Sequence, residues 1–244
     1  MANDFKEFQD LRIKNIKALS LAEEESNKGI ELCRQLFAHQ YTYNFDWLGV
    51  PIIQTPQDIL AIQEIMWKTK PTVIIETGVA RGGSLIFYAS ILKLLNEGGR
   101  VIGIDIDIRD HNRDVIESHP LSDAVILMQG SSTDDRIIEA VKSKISPSDR
   151  VMVVLDSNHT HDHVLKELEL YSPLVTRGCY LVVLDTVVED IPEGLSENRP
   201  WGKGNNPKTA VHHFLKSTDQ FLIDDQVHKK LVITCAPDGY LKRI

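Results

Sequence analysis

Cysteine is scarce in this chain and poorly placed for pairing. Cys33, Cys179 and Cys235 are odd in number, far apart and without a CxxC pair. Neither a disulfide framework nor a cysteine zinc site is expected, and the thiols read as reduced. No run approaches the roughly 18 apolar residues that would span a bilayer. The opening Met1-Ala2-Asn3-Asp4-Phe5-Lys6-Glu7 lacks the basic and apolar blocks of a secretory signal. Surplus positive charge is also missing: 27 Lys and Arg face 35 Asp and Glu, a net charge of −8, which leaves no overall footprint for nucleic acid. Internal repeats and low-complexity tracts are absent. These absences predict a cytoplasmic protein with no membrane and no nucleic-acid partner. What is there is an ordinary globular composition, 42% hydrophobic and 25% charged over 244 residues. That is enough for one large α/β domain or two small ones.

The first 40 residues are rich in Lys, Glu, Gln, Leu and Ile and hold one glycine, Gly29. Phe5, Phe8 and Leu11, then Ile30, Cys33, Leu36 and Phe37, fall at helical spacing. Residues 1–55 are therefore expected to form a helical N-terminal extension, packed on the main domain or on another subunit of a homo-oligomer. The main domain, 56–244, begins at Thr55-Pro56-Gln57-Asp58, where a capping threonine, a first-turn proline and an acid start a helix. Beyond Pro71 the pattern alternates. Runs at 72–76, 100–105, 124–128, 150–156 and 178–185 are nearly continuous Val, Ile and Leu, and helical stretches lie near 84–96, 112–118, 133–145 and 161–171. That rhythm predicts an α/β fold with a doubly wound, mostly parallel sheet. Two apolar runs, 221–225 and 231–235, are expected to close it as a hairpin.

Four acids end four of these strands: Glu76, Asp105, Asp156 and Asp185. In a parallel sheet all four share the carboxyl edge, where open α/β sheets bind ligands. Glu76 opens the turn Glu76-Thr77-Gly78-Val79-Ala80-Arg81-Gly82-Gly83-Ser84, whose glycines let backbone approach a ligand and whose helix start offers free amides. The spacing is neither GxGxxG nor a phosphate loop; an ExGxxxG turn suits S-adenosylmethionine, whose amino-acid end needs no pyrophosphate cradle. Asp105, 29 residues after Glu76, is placed to accept both ribose hydroxyls. Asp156 and Asp185 are again 29 residues apart, hence on neighbouring strands, and their mutual repulsion favours a shared proton or a hard cation such as Mg²⁺. His159, in the loop after Asp156, suits a general base. His161 and His163 fall on different parts of a helix turn, so they read as solvated or capping side chains rather than zinc ligands. The segment Arg199-Pro200-Trp201-Gly202-Lys203-Gly204-Asn205-Asn206-Pro207-Lys208 follows a long polar loop, 187–198, and reads as a lid or substrate wall in front of a helix starting at Asn206-Pro207.

ETGVARGGSLI, GIDIDIRDHN, LDSNHTHDHVLKELELYSPLV and PWGKGNNPKTAVHHFL together resemble the cephalosporin hydroxylase/rhamnosyl O-methyltransferase family, over roughly residues 40–240. Its members are similar to class I S-adenosylmethionine-dependent methyltransferases, including the magnesium-dependent catechol O-methyltransferase group. The resemblance implies a Rossmann-like, seven-stranded sheet with an antiparallel C-terminal strand. It implies that Glu76, Gly78, Ala80 and Ser84 belong to the cofactor loop, that Asp105 is the ribose acid, and that Gly130 and Ser132 flank the adenine. Asp156 matches the first metal ligand, beside the cofactor. The second ligand position is an acidic pair in the family and here reads Leu184-Asp185, so Asp156 and Asp185 would hold Mg²⁺ with extra waters or work without it. His159 aligns with a catalytic lysine of the catechol enzymes and would deprotonate the acceptor with Asp156 beside it; Trp201 and Lys208 would contact that acceptor. The implied activity is O-methylation of a small-molecule hydroxyl, on a sugar or natural product. The alternatives are a binding or assembly subunit that retains the cofactor site without turnover, and, further off, a nicotinamide-dependent oxidoreductase.

Overall fold

The apolar runs become the strands of one sheet in a computed structural model, which describes residues 2–95, 98–191 and 198–244. Two helices come first, α1 (Ala2–Leu19) and α2 (Glu23–Phe37), followed by a short antiparallel ribbon of β1 (Phe45–Trp47) and β2 (Val50–Ile52). Then α3 (Pro56–Thr69), β3 (Val73–Thr77), α4 (Gly83–Leu95), β4 (Arg100–Asp105), α5 (Asp110–Glu117) and β5 (Val125–Gln129) alternate. The second half contains α6 (Asp135–Lys142), β6 (Val151–Leu155), α7 (His161–Tyr171), β7 (Tyr180–Val183), α8 (Pro207–Phe214), β8 (Phe221–Ile223), α9 (Asp225–Leu231) and β9 (Tyr240–Arg243). The seven strands run in the order β5-β4-β3-β6-β7-β9-β8. All are parallel except β9, which opposes both neighbours. The chain moves outward from β3 on one side and from β6 on the other, so the order reverses between these two strands.

Strand periodicity explains why both faces are covered. In β3, Ile74 enters one core while Val73 and Ile75 enter the other; in β6, Met152 and Val154 oppose Val151, Val153 and Leu155 in the same way. Helix α4 is apolar nearly all round, with Leu85, Ile86, Phe87, Tyr88 and Ala89 buried, because it lies between the sheet and the β1–β2 ribbon. Trp47 of the ribbon meets Phe87 edge-on at 4.8 Å and donates its indole N–H to Ser90 Oγ at 3.0 Å. The start of α4 runs so close to β2 that a Cβ on Gly83 would sit 2.3 Å from the Pro51 carbonyl oxygen.

The chain end departs from expectation. β8 does not pair with residues 231–235, which form no strand; its partner is β9. The buried carboxylate of Asp58 explains why. It accepts hydrogen bonds from the Cys235 amide at 2.8 Å, the Tyr240 hydroxyl at 2.6 Å and the hydroxyls of Thr234 and Thr55. An unpaired carboxylate would be costly there, and four donors remove that cost. Residues 231–235 are thus committed to Asp58 and not to a neighbouring strand. Thr55 is the N-cap of α3 and Pro56 follows it, but its hydroxyl serves Asp58 instead of a helix amide. At α8 the expected start forms in full: Asn206 accepts from the amides of Lys208 and Thr209 in a capping box. The last residue of the expected helix 84–96 and positions 192–197 of the expected loop 187–198 lie outside the described residues; that loop begins as a helical turn, Thr186–Glu189. Among the described residues no helix is long and apolar enough to cross a membrane.

Candidate active site

Glu76 and Asp156 come off the ends of the two strands that flank the reversal, β3 and β6, with Asp105 ending β4 and Asp185 just past β7. Glu76 is 1% exposed. Ser84 Oγ donates to one of its oxygens at 2.6 Å and Tyr88 OH to the other at 2.9 Å. Burial pushes its pKa up to about 8, with the Asp105 charge adding to the rise and the two hydroxyls opposing it. Gly78 has φ +92°, and a Cβ there would lie 2.1 Å from the carbonyl oxygen of Asp156. Only glycine lets the turn after β3 pass this close to the end of β6. Asp105 closes the turn from the other side: Oδ2 accepts from the amides of Val79 (2.8 Å) and Ala80 (3.3 Å), and Oδ1 from that of Asp107 (3.1 Å).

Next to this turn a cavity of about 230 Å³ is lined by Ile104, Asp105, Ser131, Ser132, Asn158 and His163, among others. The Gly130 amide donates to the Asp105 carbonyl at 2.8 Å, which brings the loop after β5 alongside β4. The structure thus brings Glu76, Gly78, Ala80, Ser84, Asp105, Gly130 and Ser132 to one edge. It adds His163, whose Nε2 lies 3.1 Å from Ser132 Oγ, where the sequence suggested only a capping or solvated histidine. His161 diverges from it, bonded to Thr209 and His213, as the helical spacing of the two histidines requires. Tyr88 and the buried Gln54 beside it were also not singled out from sequence; Thr77 Oγ1 lacks a partner among the described residues. Tyr88 stands one helical turn beyond Ser84 (i, i+4), a spacing that could have signalled it.

The second part of the edge is Asp156, His159 and Asp185, whose donor atoms all lie within 4.8 Å of one another. His159 Nε2 is 3.2 Å from Asp185 Oδ2. Trp201 meets the His159 ring edge-on at 4.8 Å, and the Arg199 guanidinium lies over Trp201 at 5.3 Å. Glu189 fastens this segment by accepting from the Gly204 amide at 2.8 Å and the Asn206 side chain at 2.5 Å. Asp185 has φ +56°, a left-handed conformation that aims it out of the strand line while Leu184 stays 2% exposed in the core. Loss of water, followed by the charges of Asp185, Glu76 and Glu167, holds the Asp156 pKa well above the usual carboxylate range. Two carboxylates that repel one another, with an imidazole beside them, fit a divalent cation held by Asp156 and Asp185 that completes its shell with water. Leu184 contributes no donor. Lys208 is placed elsewhere: its Nζ lies 2.8 Å from Asp190 and 3.6 Å from Asp238, in a groove with His161, His212 and His213.

The profile described as Rhamnosyl O-methyltransferase/CmcI matches residues 39–244. The rhamnosyl O-methyltransferase of Mycobacterium tuberculosis is 28% identical over 220 residues, covering 84% of this chain and 83% of its own. That of Mycobacterium leprae is 29% identical over 147 residues, covering 60% and 62%. Among solved structures, one of CmcI with Mg and SAM gives a TM-score of 0.57 at 18% identity, covering 83% of this chain and 77% of its own. An O-methyltransferase from Bacillus cereus in complex with SAH gives 0.52 at 16% identity, covering 80% and 81%. These structures share the mostly parallel, seven-stranded fold. The profile spans most of the chain and the fold agrees with it, and the chain belongs to the rhamnosyl O-methyltransferase/CmcI family.

Proposed function

We propose that this protein is an S-adenosylmethionine-dependent O-methyltransferase acting on a hydroxyl of a small molecule, a sugar or natural product. The observation that carries the reading is the meeting, at one sheet reversal, of a glycine turn closed by Asp105 with the cluster Asp156, His159 and Asp185. The relatives' own name, rhamnosyl O-methyltransferase, supports a sugar hydroxyl as the acceptor. When bound, S-adenosylmethionine supplies an electrophilic methyl group, and a divalent cation held by Asp156 and Asp185 supplies charge that lowers the pKa of the acceptor hydroxyl. The chain's residues do the rest. Glu76 would hold the cofactor's ammonium group, Asp105 its ribose hydroxyls, and Ser132 its adenine. His159 takes the acceptor proton: with Nε2–H held on Asp185, the lone pair on Nδ1 receives it. The sulfonium's positive charge and the acceptor oxygen's negative charge would cancel on methyl transfer, so the positioning that these residues provide would carry much of the rate. Trp201 walls the acceptor next to His159.

Two further readings follow from the same chain. Exposed Phe5, Phe8, Leu11 and Ile13 on α1 support a second copy as partner, and three free thiols support a cytoplasmic setting. Leu184 favours a rival, a homologue that binds the cofactor without turning it over. Methyl-labelled S-adenosylmethionine incubated with a panel of rhamnosides and phenols decides between the two. Label is expected on a sugar hydroxyl, with His159→Ala slowing turnover by about 10²–10⁴-fold at unchanged cofactor affinity. Tight cofactor binding with no label on any acceptor would favour the rival.

A further inference from the structure

We infer that His163, oriented by the buried Glu167 through Ser157, reads the six-membered edge of the cofactor's purine and selects an amino over an oxo group at C6. The inference rests on the proposed cofactor reading and adds to it a residue whose role sequence did not suggest.

Glu167 is fully buried, at 0% exposed, on the inner side of α7. A carboxylate in that position is costly unless its oxygens are matched. One of them is: Oε1 accepts from Ser157 Oγ at 2.7 Å, with His163 Nε2 3.4 Å away. The other, Oε2, has no partner among the described residues. His163 and Glu167 are four residues apart on one helix, so they share a face.

The donor directions fix the imidazole. Ser157 spends its one hydroxyl proton on Glu167, so its oxygen can only accept, at 3.2 Å, from His163 Nε2. Ser132 Oγ lies 3.1 Å from the same nitrogen. In the neutral ring Nε2 therefore carries the proton, which leaves Nδ1 with its lone pair and without a hydrogen bond among the described residues. The ring lines the cavity that also holds Asp105, Ile106 and Ser132, and is itself about a quarter exposed to it. With the ribose on Asp105, the base lies in this cavity. An amine at C6 donates to an acceptor; an oxo group at C6 is itself an acceptor and is left facing another lone pair. Mismatching a hydrogen-bonding group discriminates far more sharply than a change of shape.

The test is calorimetric titration of the full chain with S-adenosyl-L-homocysteine and with its 6-oxo analogue, S-inosyl-L-homocysteine. The wild type is expected to bind the amino form at least about tenfold more tightly. His163→Phe should reduce the preference to within about twofold, and His163→Gln, whose amide oxygen still accepts, should restore part of it. Glu167→Gln should shift the ¹⁵N resonances of His163 away from the pattern of an Nε2-protonated ring, a change that mere loss of packing would not produce. A wild type that binds both ligands equally, or a folded His163→Phe that keeps the preference, overturns the inference while leaving the cofactor reading intact. Failure of the wild type to bind either ligand overturns both.

Discussion

At the scale of single residues, the site is organised by where carboxylates are kept from water. Glu76 is the sharpest case. With its pKa at about 8, the side chain is protonated in the ligand-free protein at pH 7, yet the ammonium group of the cofactor calls for a carboxylate. Binding at pH 7 should therefore release close to one proton from Glu76, read as the dependence of the calorimetric heat on buffer ionisation enthalpy. Affinity should climb from about pH 6 to about pH 8 and then turn over as the cofactor's α-amino group loses its charge. Glu76→Gln should abolish the proton release, and a buffer-independent heat in the wild type would contradict this assignment. The stability of the free protein moves the opposite way. An unfolded Glu titrates near 4.5, so the contribution is whole below that value and is lost as pH rises through 8. Much of this scale was legible in sequence, because an acid after an apolar strand has one place to go in a parallel sheet. Leu184 was legible as a missing ligand only through the family resemblance, whose acidic pair it interrupts. His163 was not: alternate histidines in HTHDH carry no sign of which one a buried glutamate one turn later will hold.

At the scale of elements, the packing of α4 decides how the cofactor turn is held. The helix inherits its direction from β3 and is pressed against the sheet by the β1–β2 ribbon at Gly83, 2.3 Å from Pro51 O for a hypothetical Cβ. Gly83→Ala should force the ribbon outward and destabilise the fold by about 1–3 kcal/mol, visible as a lower Tm in differential scanning calorimetry. An unchanged Tm would mean that the ribbon is not seated as described. The strands from β3 to β7 and the helices between them follow from periodicity and caps. The ribbon does not, since a strand of three residues leaves too little pattern to read. The last strand was misplaced for a physical reason: the run 231–235 is apolar enough for a strand, but a buried acid 176 residues away in sequence, Asp58, binds it. Such long-range pairing is invisible to local pattern.

At the scale of the whole molecule, the reversal between β3 and β6 is the proposed cofactor site, with Asp105 on one side and Asp156, His159 and Asp185 on the other. The doubly wound topology places all of these at one edge whatever the acceptor is, which is why the family's chemistry could be expected before its substrate. The most direct measurement is calorimetric titration of S-adenosylmethionine into the wild type and Asp105→Ala, with and without Mg²⁺. The wild type is expected to bind with affinity of about micromolar order, with a loss of at least about tenfold in Asp105→Ala and a Mg²⁺-dependent change that disappears in Asp156→Asn. Absence of binding to the wild type, with or without Mg²⁺, would contradict the proposed site.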